Sequence, residues 1–405
     1  MKNKHFTLVF VVLCQLLFAQ TGRENEKLML VHADALKGQK VGEEEVRQFI
    51  GNVEFRQGKA TLTCERATQY ELAGKFVLVG DVAFIDTSKS LFGDQITYYE
   101  ATRISYVEGH VRLVDSSKTM TADRLRYLDE EKIAFADGRV ALRDEKEQIT
   151  LIGEHAEYDQ ENGYAKVTGD AVLTKKDTTD ADSLIIYGGL FEMFKDGDRF
   201  IVTDSVRLIR GEIEAFCDSL EYFQQESRLK LANKPRIRQG EQYLTGQAVS
   251  LVLDDADVQA IHIVGNAIVA SVVDSSIRTN VPYDLLTGQE MMVYVTDEKI
   301  DSVRIDERAT SYYHVIEEGK EKGLNKALGD ALFITFDQDT LKRVRVISSP
   351  SVSVGEFHPP THKALLETEL EEQLAKLGIK ITPPTITSGT QTVMDNNQES
   401  TVQTK

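Results

Sequence analysis

Carboxylates recur through this chain at near-regular intervals, and they are the first residues whose spacing could do chemistry. Asp34, Glu65, Asp94, Asp123, Glu154, Asp182 and Asp218 each stand two residues before an apolar one, as in "CERATQY", "GDQITYY" and "ADRLRYL". A ladder of acids could hold divalent cations, and neighbouring acids could trade protons in catalysis. Two features argue against both. Gln247 and Gln289 take the acid's place before Asp330 restores it, and an amide supplies neither the charge nor the proton. The acid also sits just ahead of an apolar strand residue, which fits a role at a turn or strand edge. "HPPTH" gives His358 and His362 a metal-like spacing, but two prolines separate them and no third ligand is near, so it reads as a linker. No stretch breaks the pattern to gather His, Asp and Glu. The chain therefore reads as a non-enzyme, with no catalytic residue, no metal and no cofactor expected.

The elements that carry these acids show a second rhythm. In "VLVGDVAFID", "SYVEGHVRLVD" and "AFADGRVALRD" a glycine interrupts a strand-like pattern, and Gly51, Gly80, Gly109 and Gly138 are each 29 residues apart. The series continues through Gly169, Asp204, Asn233, Gly265, Glu307 and Ser348, giving ten units: seven regular, then three looser ones with longer connections. Apolar residues alternate with polar ones on both sides of the glycine, so each half is a strand with one buried face. A glycine costs a strand order and packing. Its place here is a corner, where the strand bends from one sheet into a facing one. Asp204 and Asn233 tolerate such backbone angles; Glu307 and Ser348 do not, so the looser units are expected to turn differently. With strands ~4.8 Å apart, ten units make a rod on the order of 100 Å. Cys64 and Cys217 hold equivalent places five units apart and are expected to remain free thiols.

The ends differ from the middle. "MKNKHFTLVFVVLCQLLFAQ" has a basic start, an apolar run and a small residue at Ala19, the form of a secretory signal peptide over 1–19. Cys14 could suggest a lipoprotein, but the bulky Leu13 fits that processing poorly. With 47 Lys and Arg against 65 Asp and Glu, the charge is −18, and loss of Lys2 and Lys4 takes it to −20. So acidic a chain is a poor fit to nucleic acid. "GGLFEMFKDGDRF" (188–200) carries the sixth unit's extra length and reads as a hairpin turning at Asp196-Gly197. Phe191, Met193 and Phe194 there suit a gate or contact patch less well than a protruding hairpin packed on the rod. "HKALLETELEEQLAKLG" puts Leu366, Leu370, Leu374 and Leu377 on one helical stripe, better suited to capping the open C-terminal end than to docking a partner. The domains follow: 20–270 regular repeats, 271–355 looser repeats, 356–380 linker and amphipathic helix, and 381–405 a disordered tail.

Tandem halves of the form small-acid-x-apolar and G-x-V-x-apolar in an exported chain resemble the OstA-like family. That family covers the lipopolysaccharide-transport bridge LptA and the N-terminal domain of the translocon LptD. The resemblance rests on "CERATQYELAGKFVLVGDVAFID", "GDQITYYEATRISYVEGHVRLVD" and "ADRLRYLDEEKIAFADGRVALRD", and it is close over about 28–270 and loose over 285–354. It implies an all-β, elongated repeat array folded as a twisted open β-jellyroll of two facing antiparallel sheets, with a short C-terminal helix appended. It further implies a periplasmic protein that shields the acyl chains of lipopolysaccharide, or a related lipid, in a hydrophobic groove on the way to the outer membrane. The groove residues would be Val53, Phe55, Val82, Phe84, Ile96, Val111, Leu113, Leu125, Val140, Leu142, Leu173, Leu184, Val206, Leu208 and Leu220. The implied partners are the outer-membrane translocon, inner-membrane transport components met by end-on strand pairing, and further copies stacked the same way. The alternative from another class is a structural or adhesive secreted rod with a closed, dry core.

Overall fold

The computed structural model describes residues 29–379, apart from 88, 147, 177–182, 196–197, 255–256, 274–280, 297–298, 338–339 and 350–352. The signal-peptide, tail, Asp182 and Asp196-Gly197 expectations all lie outside the described residues. What is described is strand almost throughout. The N-terminal run is β1 (Met29–His32), β2 (Ala35–Val41), β3 (Glu44–Gln57), β4 (Ala60–Tyr70), β5 (Lys75–Ile85), β6 (Lys89–Tyr99) and β7 (Ile104–Asp115). It continues as β8 (Lys118–Leu128), β9 (Ile133–Asp144), β10 (Ile149–Asp159), β11 (Tyr164–Lys175), β12 (Leu184–Phe194), β13 (Arg199–Arg210) and β14 (Ile213–Phe223). Four short pieces follow, β15 (Arg228–Ala232), β16 (Arg236–Gln239), β17 (Gln242–Thr245) and β18 (Ala248–Asp254). Longer strands β19 (Asp257–Val272), β20 (Tyr283–Thr296), β21 (Lys299–Glu317) and β22 (Lys320–Asp337) lead to β23 (Thr340–Ile347), β24 (Val354–His358) and the helix α1 (Ala364–Lys376).

Each strand pairs antiparallel with its neighbours in the chain, so the whole is one meander creased along its length. The crease lies at the glycines. Across β5 and β6, Val79 pairs with Gln95 and Val82 with Gly93, so Gly80 and Asp81 together oppose the single residue Asp94. Gly80 has φ +86° and Asp81 φ +42°, a two-residue left-handed bulge that turns the strand from one layer into the other. β1 with β2, β15 with β16, β17 with β18 and β23 with β24 are single strands broken at this same crease, because each pair of pieces flanks one partner strand. The 24 pieces thus make twenty creased strands, two per unit. A unit supplies each layer with two half-strands: the periodicity implies these two facing sheets, and the resemblance implies the β-jellyroll they form.

Three expectations need correction. Glu307 does not turn by a different geometry: Glu307 (φ +58°) and Arg308 (φ +56°) form the same left-handed pair as Gly80 and Asp81. The long hairpin pairing of β21 with β22 on both sides of the corner holds them there. Residues 188–194 are no protruding hairpin. They belong to β12, whose corner is Gly188-Gly189, and Phe191 and Met193 point into the core at 6% and 2% exposure. α1 does not cap the end of the rod; its leucines cover Ile268, Ala270, Leu285, Tyr312 and Leu324. Their neighbours Ala267 and Val269 face the inner core, so by strand alternation α1 lies on the outer face.

Candidate functional site

The acids and glycines of the sequence meet at the crease. A Cβ added to Gly80 would fall 2.4 Å from Glu65 Oε2, and one on Gly109 or Gly138 would strike the carboxylate of Asp94 or Asp123. Each acid therefore lies over the corner glycine of the next strand, at mid-strand rather than at a turn or strand edge. The residue after the glycine completes the contact. His110 Nδ1 lies 2.9 Å from Asp94 Oδ2, Arg139 Nε donates to Asp123 Oδ1 at 3.0 Å, and Asn52 donates to Asp34 at 3.0 Å. The guanidinium of Arg139 holds the Asp123 carboxyl below the usual carboxylate range. The offset of 15 residues from acid to glycine is the length of this hairpin contact. In the sixth unit the two roles are exchanged: Gly189 takes the acid's place and faces Asp204, which stands where the glycine would be.

The small residue before each acid fills the inside of the corner. Gly93, Gly153 and Gly188 leave room for Val107, Val167 and Val202, whose methyl carbons lie 2.4–2.5 Å from where a Cβ would be. Cys64 and Cys217 occupy this same position, are buried and are unpaired with each other. Burial pushes both thiols up to about 11, so neither is a thiolate at neutral pH.

Between the layers runs an apolar seam. A single cluster of buried side chains extends from Val53 to Leu231, and a second from Val249 to Ile334. All fifteen residues singled out from the sequence point into the first cluster. Thirteen are buried, and Phe84 and Leu184 are half-buried at its margin. They are unevenly divided, however. Ile96, Leu125 and Leu220 belong to the layer that precedes the corner on β5, and the other twelve to the layer that follows it. The facing wall also includes Phe49, Phe76, Leu78, Val107, Phe191 and Val202, which were not named as groove residues. Their signal was present: they stand two or four residues before the glycine position, in the same alternation, or after the Gly188-Gly189 corner. Phe55 bridges the walls at the N-terminal end, with ring centroids 5.4 Å from Phe49 and 5.7 Å from Phe76. Further along, Tyr127 and Tyr158 close the margin at 2% exposure each.

Among the described residues no group of His, Cys, Asp and Glu is placed to hold a metal ion, and no helix is long and apolar enough to cross a membrane. Comparison with known proteins gives three findings. No curated protein matches the chain. One solved structure, LptH, the LptA homologous periplasmic component of the conserved lipopolysaccharide transport device from Pseudomonas aeruginosa, is similar over 29% of this chain and 82% of its own. That similarity stands at 18% identity with a TM-score of 0.26. Residues 25–182 match the family described as OstA-like protein, and these residues include the first five creased hairpins, with their acid-over-glycine corners, that the seam begins on. Over that stretch the chain is similar to the OstA-like family.

Proposed function

We propose that this chain is a periplasmic bridge that carries lipopolysaccharide, or a related lipid, with its acyl chains between the two layers. The observation that carries the reading is the seam itself, apolar on both walls through seven units and joined to a second core beyond them. The family match over 25–182 supports it. The layers are joined covalently only along the crease; at the opposite margin they are held by side-chain contacts such as Phe55 on Phe76. An acyl chain entering there exchanges side-chain packing for its own burial, at ~0.8 kcal/mol per CH₂. Entry is easiest where margin residues are half-buried, as Leu62, Phe76 and Phe84 are at the N-terminal end. No reaction is required, and the chain acts as a passive conduit. Among the described residues the outermost strands, β1 with β2 and β23 with β24, each pair on one side only, leaving backbone groups for end-on pairing with transport components or another copy.

The tightly closed margin at Tyr127 and Tyr158 favours a second reading, a structural rod with a permanently dry core. One experiment separates them. A photocrosslinking residue at Phe84 or Leu113 of the exported protein labels lipopolysaccharide if the layers part. Absence of lipid label at both positions, with delipidated protein failing to take up lipopolysaccharide, leaves the dry rod.

A further inference from the structure

The outer face of the second layer, the one carrying Val82 and Phe84 on its inside, has a composition unlike the rest of the chain. Pairing registers trace two rows of outward residues across it. One runs from Glu54 through Phe92, Arg112, Ile152 and Tyr187 to Arg207 and Phe216. The other runs from Arg56 through Ile85, Arg143, Ile185 and Ile209 to Glu214, Arg238 and Tyr243. Extended to Arg236 and Thr245, the two rows carry six arginines and two acids on a chain whose net charge is −18. Both acids are already matched, Glu54 by Arg56 at 2.9 Å and Glu214 by Arg207 at 2.6 Å. Between the arginines lie exposed apolar groups: Ile85 at 47%, Ile152 at 44%, Phe216 at 39% and Tyr187 at 37%. Guanidiniums lie over aromatic rings of the same rows, Arg112 over Phe92 at 4.1 Å and Arg207 over Tyr187 at 5.9 Å.

The same rows continue under α1. Tyr243 pairs with Ala270, Ala270 with Leu285, Leu285 with Tyr312 and Tyr312 with Lys326, and this is the surface that Leu366, Leu370 and Leu374 cover. α1 is an acidic amphipathic helix, with Glu367, Glu369, Glu371 and Glu372 against Lys376. Glu369 accepts from Lys326 Nζ at 2.5 Å and from the Tyr312 hydroxyl at 3.1 Å. Gly378, just past its C-terminus, is approached by the guanidinium of Arg236, where the uncovered part of the face begins. The chain's own helix thus shows what chemistry this face accepts: leucines on the apolar row and a carboxylate, Glu369, on the cation Lys326 beside it.

We propose that the uncovered outer face between β3 and β14 is a docking surface for an acidic amphipathic helix of a partner protein, lying across the strands as α1 does. Charge complementarity and continuity with the α1 contact carry the choice of occupant. The test uses the full mature chain and a fluorescent peptide with the sequence of residues 361–379, which has the required chemistry. The expected result is saturable binding that weakens with salt, photocrosslinking of the peptide from Thr150, and at least a tenfold loss of affinity in Arg112→Glu/Arg143→Glu/Arg207→Glu. The matching triple change to Gln is expected to give a smaller loss in the same direction, and circular dichroism identifies any variant that has lost its fold. No saturable binding, or binding indifferent to both triples, overturns the proposal. So does arginine-dependent binding of phosphatidylglycerol vesicles without peptide binding, which assigns the face to an anionic lipid surface. Dimerisation abolished by the same changes overturns it too, by making the occupant a second copy.

Discussion

At Gly138 the corner geometry is strict enough to predict a cost. Its φ is +79°, and a Cβ there would fall 2.5 Å from Asp123 Oδ2, so Gly138→Ala meets both backbone strain and a carboxylate. Urea denaturation should show a loss of ~1–3 kcal/mol. Gly38→Ala is the control. Gly38 lies in an ordinary strand with no atom within 4 Å of the added carbon, and the same assay should register no loss. The cysteines give a second residue-scale prediction. Their thiols are buried and raised to about 11, so a thiol reagent at pH 8 should leave Cys64 and Cys217 unmodified until the protein is unfolded, when both should react. Appreciable labelling of the folded protein would show that the corners open.

At the scale of elements, α1 is the one that packing alone must hold, since no backbone ladder joins it to the sheet. Leu370 is fully buried against the strands, and Leu370→Ala should cost ~2–5 kcal/mol of docking, read as faster hydrogen exchange in 364–376. The docking should also depend on pH. Hydrogen bonding from Lys326 lowers the Glu369 pKa from its ordinary value of 4.5. A depressed carboxylate contributes stability that is complete above the unfolded pKa and is lost as pH falls through the folded one. Protection of α1 should therefore weaken below about pH 4.5, by the ~0.5 kcal/mol typical of a half-exposed pair. Lys326→Met should shrink that pH step, leaving the smaller share that the Tyr312 hydroxyl contributes. The creased strands themselves were legible, because each has one apolar face and a glycine or its stand-in at the corner. The seat of α1 was not. In "AIHIVGNAIVASVV" both faces of the strand are apolar, so alternation no longer tells inside from outside, and the leucine stripe of the helix says only that it must be covered. The sixth corner was misplaced for a related reason: the acid and glycine exchange strands at Gly189 and Asp204, and a pattern keyed to acid before glycine skips over the swap.

Across the whole molecule the twenty creased strands form a one-dimensional array, in which each unit is stabilised mainly by its neighbours. Such arrays break where coupling is thinnest. Here the buried cores separate between Leu231 and Val249, where four short strands replace two long ones and Pro235 follows the left-handed pair Asn233 and Lys234. Leu231 and Val249 are cross-strand partners, and two half-buried side chains, Ile237 and Leu251, pack against both cores as bridges. The last three units also carry α1 and a third cluster of their own, so they hold enough buried surface to unfold as a separate body. Ile237→Ala removes one of the two bridges at a cost of ~2 kcal/mol. If coupling at this junction keeps the array in register, the variant should turn one urea transition into two. Hydrogen exchange would then show 249–334 opening independently of 53–231. A single transition, shifted but unsplit, would mean that the hydrogen bonds joining β14 to β19 through the four short strands carry the coupling instead. The acyl-chain seam would then be mechanically continuous from end to end.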